Sequence, residues 1–214
     1  SSGTACFNIF LGSCAGKSIA GGDHNIFAGQ YAGTSNTTGC YNVFFGRHAG
    51  FCNVGASDNV AIGHFAGCVN TTGACNVYLG YKAGLKGNRN NSIFIGRYAG
   101  MGNCNGANGA DNIGLGSNAG RAITSGSKNI FLGLEAGRCI TSGYCNIFFG
   151  PEAAGIGTVT GHNNVILGSR AGYCLAGGIY NTFVGMYAGC SFSGTGANNI
   201  ALGCMSLMEL ETGY

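Results

Sequence analysis

Twelve cysteines, four histidines and seven carboxylates are the residues of this 214-residue chain that could do chemistry, and their spacing decides which kind. A zinc site asks for ligands in short pairs, C-x-x-C or H-x(3–5)-H. No such pair occurs among the cysteines or among His24, His48, His64 and His162. His48 and His64, each close to a cysteine (Cys52, Cys68), read as surface histidines rather than ligands. The acids Asp23, Asp58, Asp111, Glu135, Glu152, Glu209 and Glu211 are scattered and form no matched couple for acid–base work. No Ser-His-Asp or Cys-His set can be assembled, so the chain reads as no enzyme, with no cofactor and no metal. Gly114-Leu115-Gly116 invites a phosphate-loop reading, but no helix follows it. The chemistry left to the cysteines is disulfide formation, which implies an oxidising, extracellular or cell-surface setting.

The elements that must position these residues come from one repeat. The string N-[aliphatic]-[aromatic]-[aliphatic]-G returns twelve times, closing at Gly12, Gly29, Gly46, Gly63, Gly80, Gly96, Gly116, Gly133, Gly150, Gly168, Gly185 and Gly203. The steps between these glycines are 16 to 20 residues, mostly 17. A period that short holds one coil of a solenoid. The predicted fold is therefore all-β, a parallel β-solenoid of about twelve ~17-residue coils. It is a single domain over 1–214, with coil twelve (199–214) atypical. At ~4.8 Å per coil the rod would be on the order of 58 Å long.

Counting from each closing glycine, position −3 is Ile or Val in eleven coils, with Thr182 the exception, and position −1 is apolar in all twelve. Two faithful positions of one parity read as the inward face of a short strand. On that reading the residue between them points outward. It is large and apolar in nine coils: Phe10, Phe27, Phe44, Tyr78, Phe94, Phe131, Phe148, Ile166 and Phe183. Such a stripe is rarely left bare on a monomer. It is expected either to contact another chain or to be covered within its own. The asparagines Asn8, Asn25, Asn42, Asn59, Asn76, Asn112, Asn129, Asn146, Asn164, Asn181 and Asn199, with Ser92 in the remaining coil, are expected to stack as an amide ladder. Ala-Gly corners follow three residues after the closing glycine, as from Ala15-Gly16 to Ala188-Gly189. They suit a narrow cross-section.

Stacking turns sequence spacing into distance, since residues one coil apart fall inside the Cα window of a disulfide and residues two coils apart do not. Cys174 is expected to bridge to Cys190, and Cys139 to Cys145 around one loop. For the rest two schemes stand open: Cys52 with Cys68, or Cys40 with Cys52 together with Cys68 and Cys75. The sequons at Asn36 and Asn70 are possible glycosylation sites. Both ends are expected to be uncapped, so that the chain partners itself head to tail. Cys14 and Cys204, with Leu207, Met208 and Leu210 of the last coil, are the candidates at that junction.

Glycine makes up 43 residues and proline one, which excludes collagen. A net charge of +3 without a basic run offers no footprint for nucleic acid, and no apolar stretch reaches the length of a membrane span. N-V-A-I-G at 59–63 and N-I-A-L-G at 199–203 resemble the head repeat of trimeric autotransporter adhesins, and the longer N-x-F-x-G-x-x-A-G form resembles repeats of tail-fibre-like surface proteins. That resemblance implies a parallel β-roll displayed outside the cell as a trimer. The function expected first is a structural subunit of an extracellular filament, polymerising through its ends and hardened by disulfides. An adhesin or tail-fibre head is the alternative, with Tyr31, Tyr81, Tyr98, Tyr187, Arg47, Arg97 and Arg170 as contacts. An ice-binding solenoid comes third, because its threonines do not keep register.

Overall fold

A computed structural model describes residues 5–102, 108–192 and 195–207. Twelve three-residue strands run from β1 (Ile9–Leu11) to β12 (Ile200–Leu202), and each occupies the repeated string in its coil. They form one parallel sheet in strict chain order, each strand pairing with the next. The register is the repeat itself: Ile9 pairs with Ile26, Phe10 with Phe27 and Leu11 with Ala28. Twelve strands enclose eleven turns of a β-solenoid, and no helix occurs among the described residues.

The parity of the strand is opposite to the one expected. Phe27, Phe44, Tyr78, Phe94, Phe131, Phe148, Ile166 and Phe183 are all buried inside the coil, and only Phe10, in the first strand, is partly exposed. The flanking residues at −3 and −1 face outward. A slip of one residue exchanges the two faces of a strand. The asparagine at −4 shares the parity of the ring at −2, and ten of its twelve positions are buried as well, Ser92 among them. An amide ladder shielded from water thus requires the ring to be inside.

The Ala-Gly corner is the seat of that ring. The alanine is buried, and the glycine after it holds φ near +56 with its missing Cβ about 2.6 Å from the Phe27 ring in the case of Gly33. Any side chain there would displace the ring. Where a coil lacks its ring, a neighbour fills the gap: the Phe94 ring lies 2.6 Å from where Gly114 would carry a Cβ. Rings of adjacent coils lie against each other, stacked with centroids 4.9 Å apart for Phe27 and Phe44 and tilted at 5.8 Å for Phe131 and Phe148.

The asparagine ladder ties each amide to a neighbouring coil. In coil three, Asn42 Nδ2 donates to Asn25 Oδ1 at 3.2 Å and to the Ala56 carbonyl at 2.8 Å, while the Asn42 backbone N–H donates to the same Oδ1 at 2.9 Å. Ser92 interrupts it. Its N–H still donates to Asn76 Oδ1 at 3.0 Å, and its hydroxyl accepts the Asn112 N–H at 3.3 Å. A second inward column faces the first. It is Asn36, Asn53, Asn70 and Arg89 in the early coils, then Ile123, Ile140, Val159, Leu175 and Phe192. Its residue type changes along the rod, so no repeat in the sequence marks it.

Two further columns hold side chains in the left-handed region that glycine favours. One precedes the asparagine (Phe7, His24, Tyr41 and onward), and the other lies two residues past the closing glycine (Tyr31, His48, Phe65, Lys82, Tyr98 and onward), all with φ between 53 and 61. Each such residue costs roughly 1–2 kcal/mol. Stacking between coils offsets this, as in Tyr31 on His48 and His48 on Phe65 at 5.1 and 4.9 Å.

Candidate functional site

Because the rings turn inward, the large aliphatic and aromatic residues on either side of them turn out. Position −1 places Leu11, Phe45, Ile62, Leu79, Ile95, Leu115, Phe149 and Leu202 among the exposed large apolar side chains, and position −3 adds Ile9, Ile93, Ile147 and Ile200. Phe149 is 56% exposed. The two columns run side by side along the whole sheet and carry no charged residue. Midway along them Leu115, Leu132, Phe149, Pro151 and Leu167 border a shallow groove whose floor is Gly133, Gly150 and Gly168. Those glycines hold φ of 133 to 137, and a Cβ on Gly133 would sit 2.7 Å from the Gly150 carbonyl. The floor therefore admits no side chain.

Around the corner from the sheet lies a polar strip. Arg47, Lys82, Arg97 and Arg121 stand on coils three, five, six and seven, amid Tyr31, His48, Phe65, Tyr81 and Tyr98. The Arg97 guanidinium lies 4.5 Å over the Tyr98 ring and Arg121 lies 5.4 Å from it, while Lys82 Nζ sits 5.0 Å over Tyr81. A hydrogen bond from Lys82 is the main cause pulling the Tyr81 phenol below its ordinary pKa. Burial, then the neighbouring Arg47 and His64, lowers that of His48. Farther along the rod, cations are matched by acids. Arg138 pairs with Glu135 at 3.2 Å and Arg170 with Glu152 at 3.0 Å, and Arg170 also donates to the Tyr187 hydroxyl at 3.1 Å.

The cysteines expected to pair with one another are not cross-linked. Cys40, Cys52, Cys68, Cys75, Cys139, Cys145, Cys174 and Cys190 are free thiols, so none of the cross-links expected among them is formed. Two expected pairs are nonetheless neighbours. Cys52 donates its backbone N–H to the Cys68 carbonyl at 2.8 Å, and Cys174 does the same to Cys190 at 3.0 Å. Burial, with Cys52 beside it, pushes the Cys68 thiol up to about 12, and burial raises that of Cys174. Cys40 Sγ instead accepts the Asp23 N–H at 3.3 Å. Cys14 is half-buried, Cys204 is exposed, and Leu207 packs against the core. Met208 and Leu210 lie outside the described residues.

Two expectations about side-chain access are corrected. Asn36 and Asn70 are buried, and each clamps its own corner: Asn36 Oδ1 accepts the Gly39 N–H at 2.8 Å, as Asn70 does from Gly73. In the folded coil neither amide is open to a glycan. Arg89, which no motif marked, is fully buried and donates to the carbonyls of Lys86, Gly100 and Ile123 at 3.0, 3.0 and 3.1 Å. Among the described residues, no group of three or more His, Cys, Asp or Glu is placed to hold a metal ion, and no helix is long and apolar enough to cross a membrane. No protein-family model, curated protein or solved structure matches this chain.

Proposed function

We propose that this chain is a structural rod that assembles with further copies of itself outside the cell, side by side through the outward face of its sheet. The observation that carries the reading is the pair of apolar columns. Twelve exposed side chains on that face, at ~180 Å² for each fully exposed residue, present about 1,000 Å², more than the ~800 Å² one partner gives to a standard interface. A patch of this size on a lone soluble chain is unusual. Its occupant is a second copy. A cover must offer apolar side chains at the coil spacing of ~4.8 Å, which another solenoid of the same repeat does by construction. The absence of charge on the two columns disfavours an ionic partner.

End-to-end stacking is a second route to a filament, since it would reuse the hydrogen bonds that join coil to coil. The extracellular setting rests on the abundance of cysteine without metal-ligand spacing. Light scattering on the purified chain, with negative-stain microscopy, tests the assembly. Two-chain or laterally bundled particles support the proposal, and a three-chain mass would favour the trimeric arrangement of adhesin heads. Leu132→Lys with Phe149→Lys alters outward residues only and is expected to leave the fold intact while dissociating the particles. A wild-type chain that stays single at high concentration, or a charged variant that assembles as well as wild type, overturns it.

A further inference from the structure

We infer that the cationic strip at the corner beside the sheet binds an acidic polysaccharide laid along the rod. This rests on a different surface from the apolar columns and stands without the self-assembly reading. Arg47, Lys82, Arg97 and Arg121 have no carboxylate partner among the described residues, whereas two arginines of later coils, Arg138 and Arg170, are ion-paired. The four charges are spread over five coils, a run of about 19 Å at ~4.8 Å per coil, rather than converging on a point. A small anion would meet one or two of them, and a linear polymer meets all four. Partners that neutralise spread charges gain affinity mostly from electrostatics, which salt screens.

The aromatic residues decide which polymer. Binding single-stranded nucleic acid relies on bare ring faces for its bases. Here the faces are taken. His48 lies between Tyr31 and Phe65, His64 stacks on Phe65 at 4.3 Å, and Tyr98 is covered by Arg97, Arg121 and the edge of Tyr81. What the strip leaves open is charge, with the exposed Tyr81 beside it. Guanidinium forks match carboxylate and sulfate groups in bidentate fashion. A chain of sugars bearing such groups at intervals comparable to the coil spacing meets cations that recur along the rod.

The test uses the whole chain, with heparin as the sulfated probe, polygalacturonate as the carboxylated one, dextran as the neutral one and poly(dT) as the nucleic acid. Binding is followed by titration calorimetry at rising salt. The expected result is salt-sensitive binding to at least one acidic glycan, none to dextran, and a loss of about tenfold or more in Arg97→Ala with Arg121→Ala. Both are surface arginines, and circular dichroism verifies the fold. Arg138→Ala with Arg170→Ala, which removes ion-paired cations, should bind as wild type does. The inference fails if neither acidic glycan binds, if poly(dT) binds more tightly than both, or if the two double variants lose affinity equally.

Discussion

Replacing Phe131 by alanine tests the inverted parity where it should cost most. The ring is fully buried and is gripped by Gly120 and Gly137, whose missing Cβ atoms would each lie 2.6 Å from it. On one side coil seven has no ring of its own, since Gly114 stands there, and Phe94 already leans into that space. Phe148, with its centroid 5.8 Å away, is the ring neighbour on the other side. Removing Phe131 therefore leaves two successive coils without a ring, more space than Phe94 and Phe148 can close. Large-to-small changes of a buried Phe cost about 3–5 kcal/mol, depending on how far the site collapses, and the upper end applies here. Phe27→Ala, flanked by rings at 5.2 and 4.9 Å, belongs at about 3 kcal/mol. Leu132→Ala, one residue on but facing outward, should stay within about 0.5 kcal/mol for the unassembled chain. Solenoids lose coils progressively, so a urea midpoint should be paired with hydrogen exchange read on peptides of coils seven to nine. The reasoning is refuted if Phe131→Ala costs under about 1 kcal/mol, or if Leu132→Ala costs as much as Phe131→Ala.

Two further outcomes follow from the buried polar groups. Arg89→Ala strands three carbonyls in the interior and should cost about 3–5 kcal/mol; Arg89→Met, which refills the volume and removes the buried charge, should cost visibly less in the same thermal unfolding series. The Cys68 thiol has a folded pKa of about 12 against an ordinary 9.0, so the folded state prefers its neutral form. Its contribution is fully present below pH 9.0 and is lost as pH climbs toward about 12, a slope that Cys68→Ala should reduce relative to wild type in pH-dependent denaturation.

Much of the candidate site was within reach of the sequence, and its orientation was not. The paired faithful positions at −3 and −1 read as a core because regular apolar residues usually are one. The opposing signal was present in the asparagine, which shares the parity of the ring, and in the Ala-Gly corner, which makes room for a ring more readily than for an aliphatic. Asn36 and Asn70 read as sequons because the Thr two residues on, Thr38 and Thr72, satisfies the motif. Their role in clamping Gly39 and Gly73 appears only when the corner is closed. The second inward column escaped because Asn, Arg, Ile, Val, Leu and Phe share no pattern a repeat could reveal.

Period, strand position and the parallel order of the coils were determined by the chain's own spacing, since a 17-residue repeat closed by glycine stacks in few other ways. The amide ladder came with it, because asparagines at one repeated position meet whenever the coils do. Which side of each strand met water was decided by the closed coil. A three-residue strand has too short a pattern to choose its face, and the choice falls to whichever side chain fits between the corner glycines. The cationic strip and the thiol pairs likewise arise from residues of separate coils, whose proximity exists only once those coils are stacked.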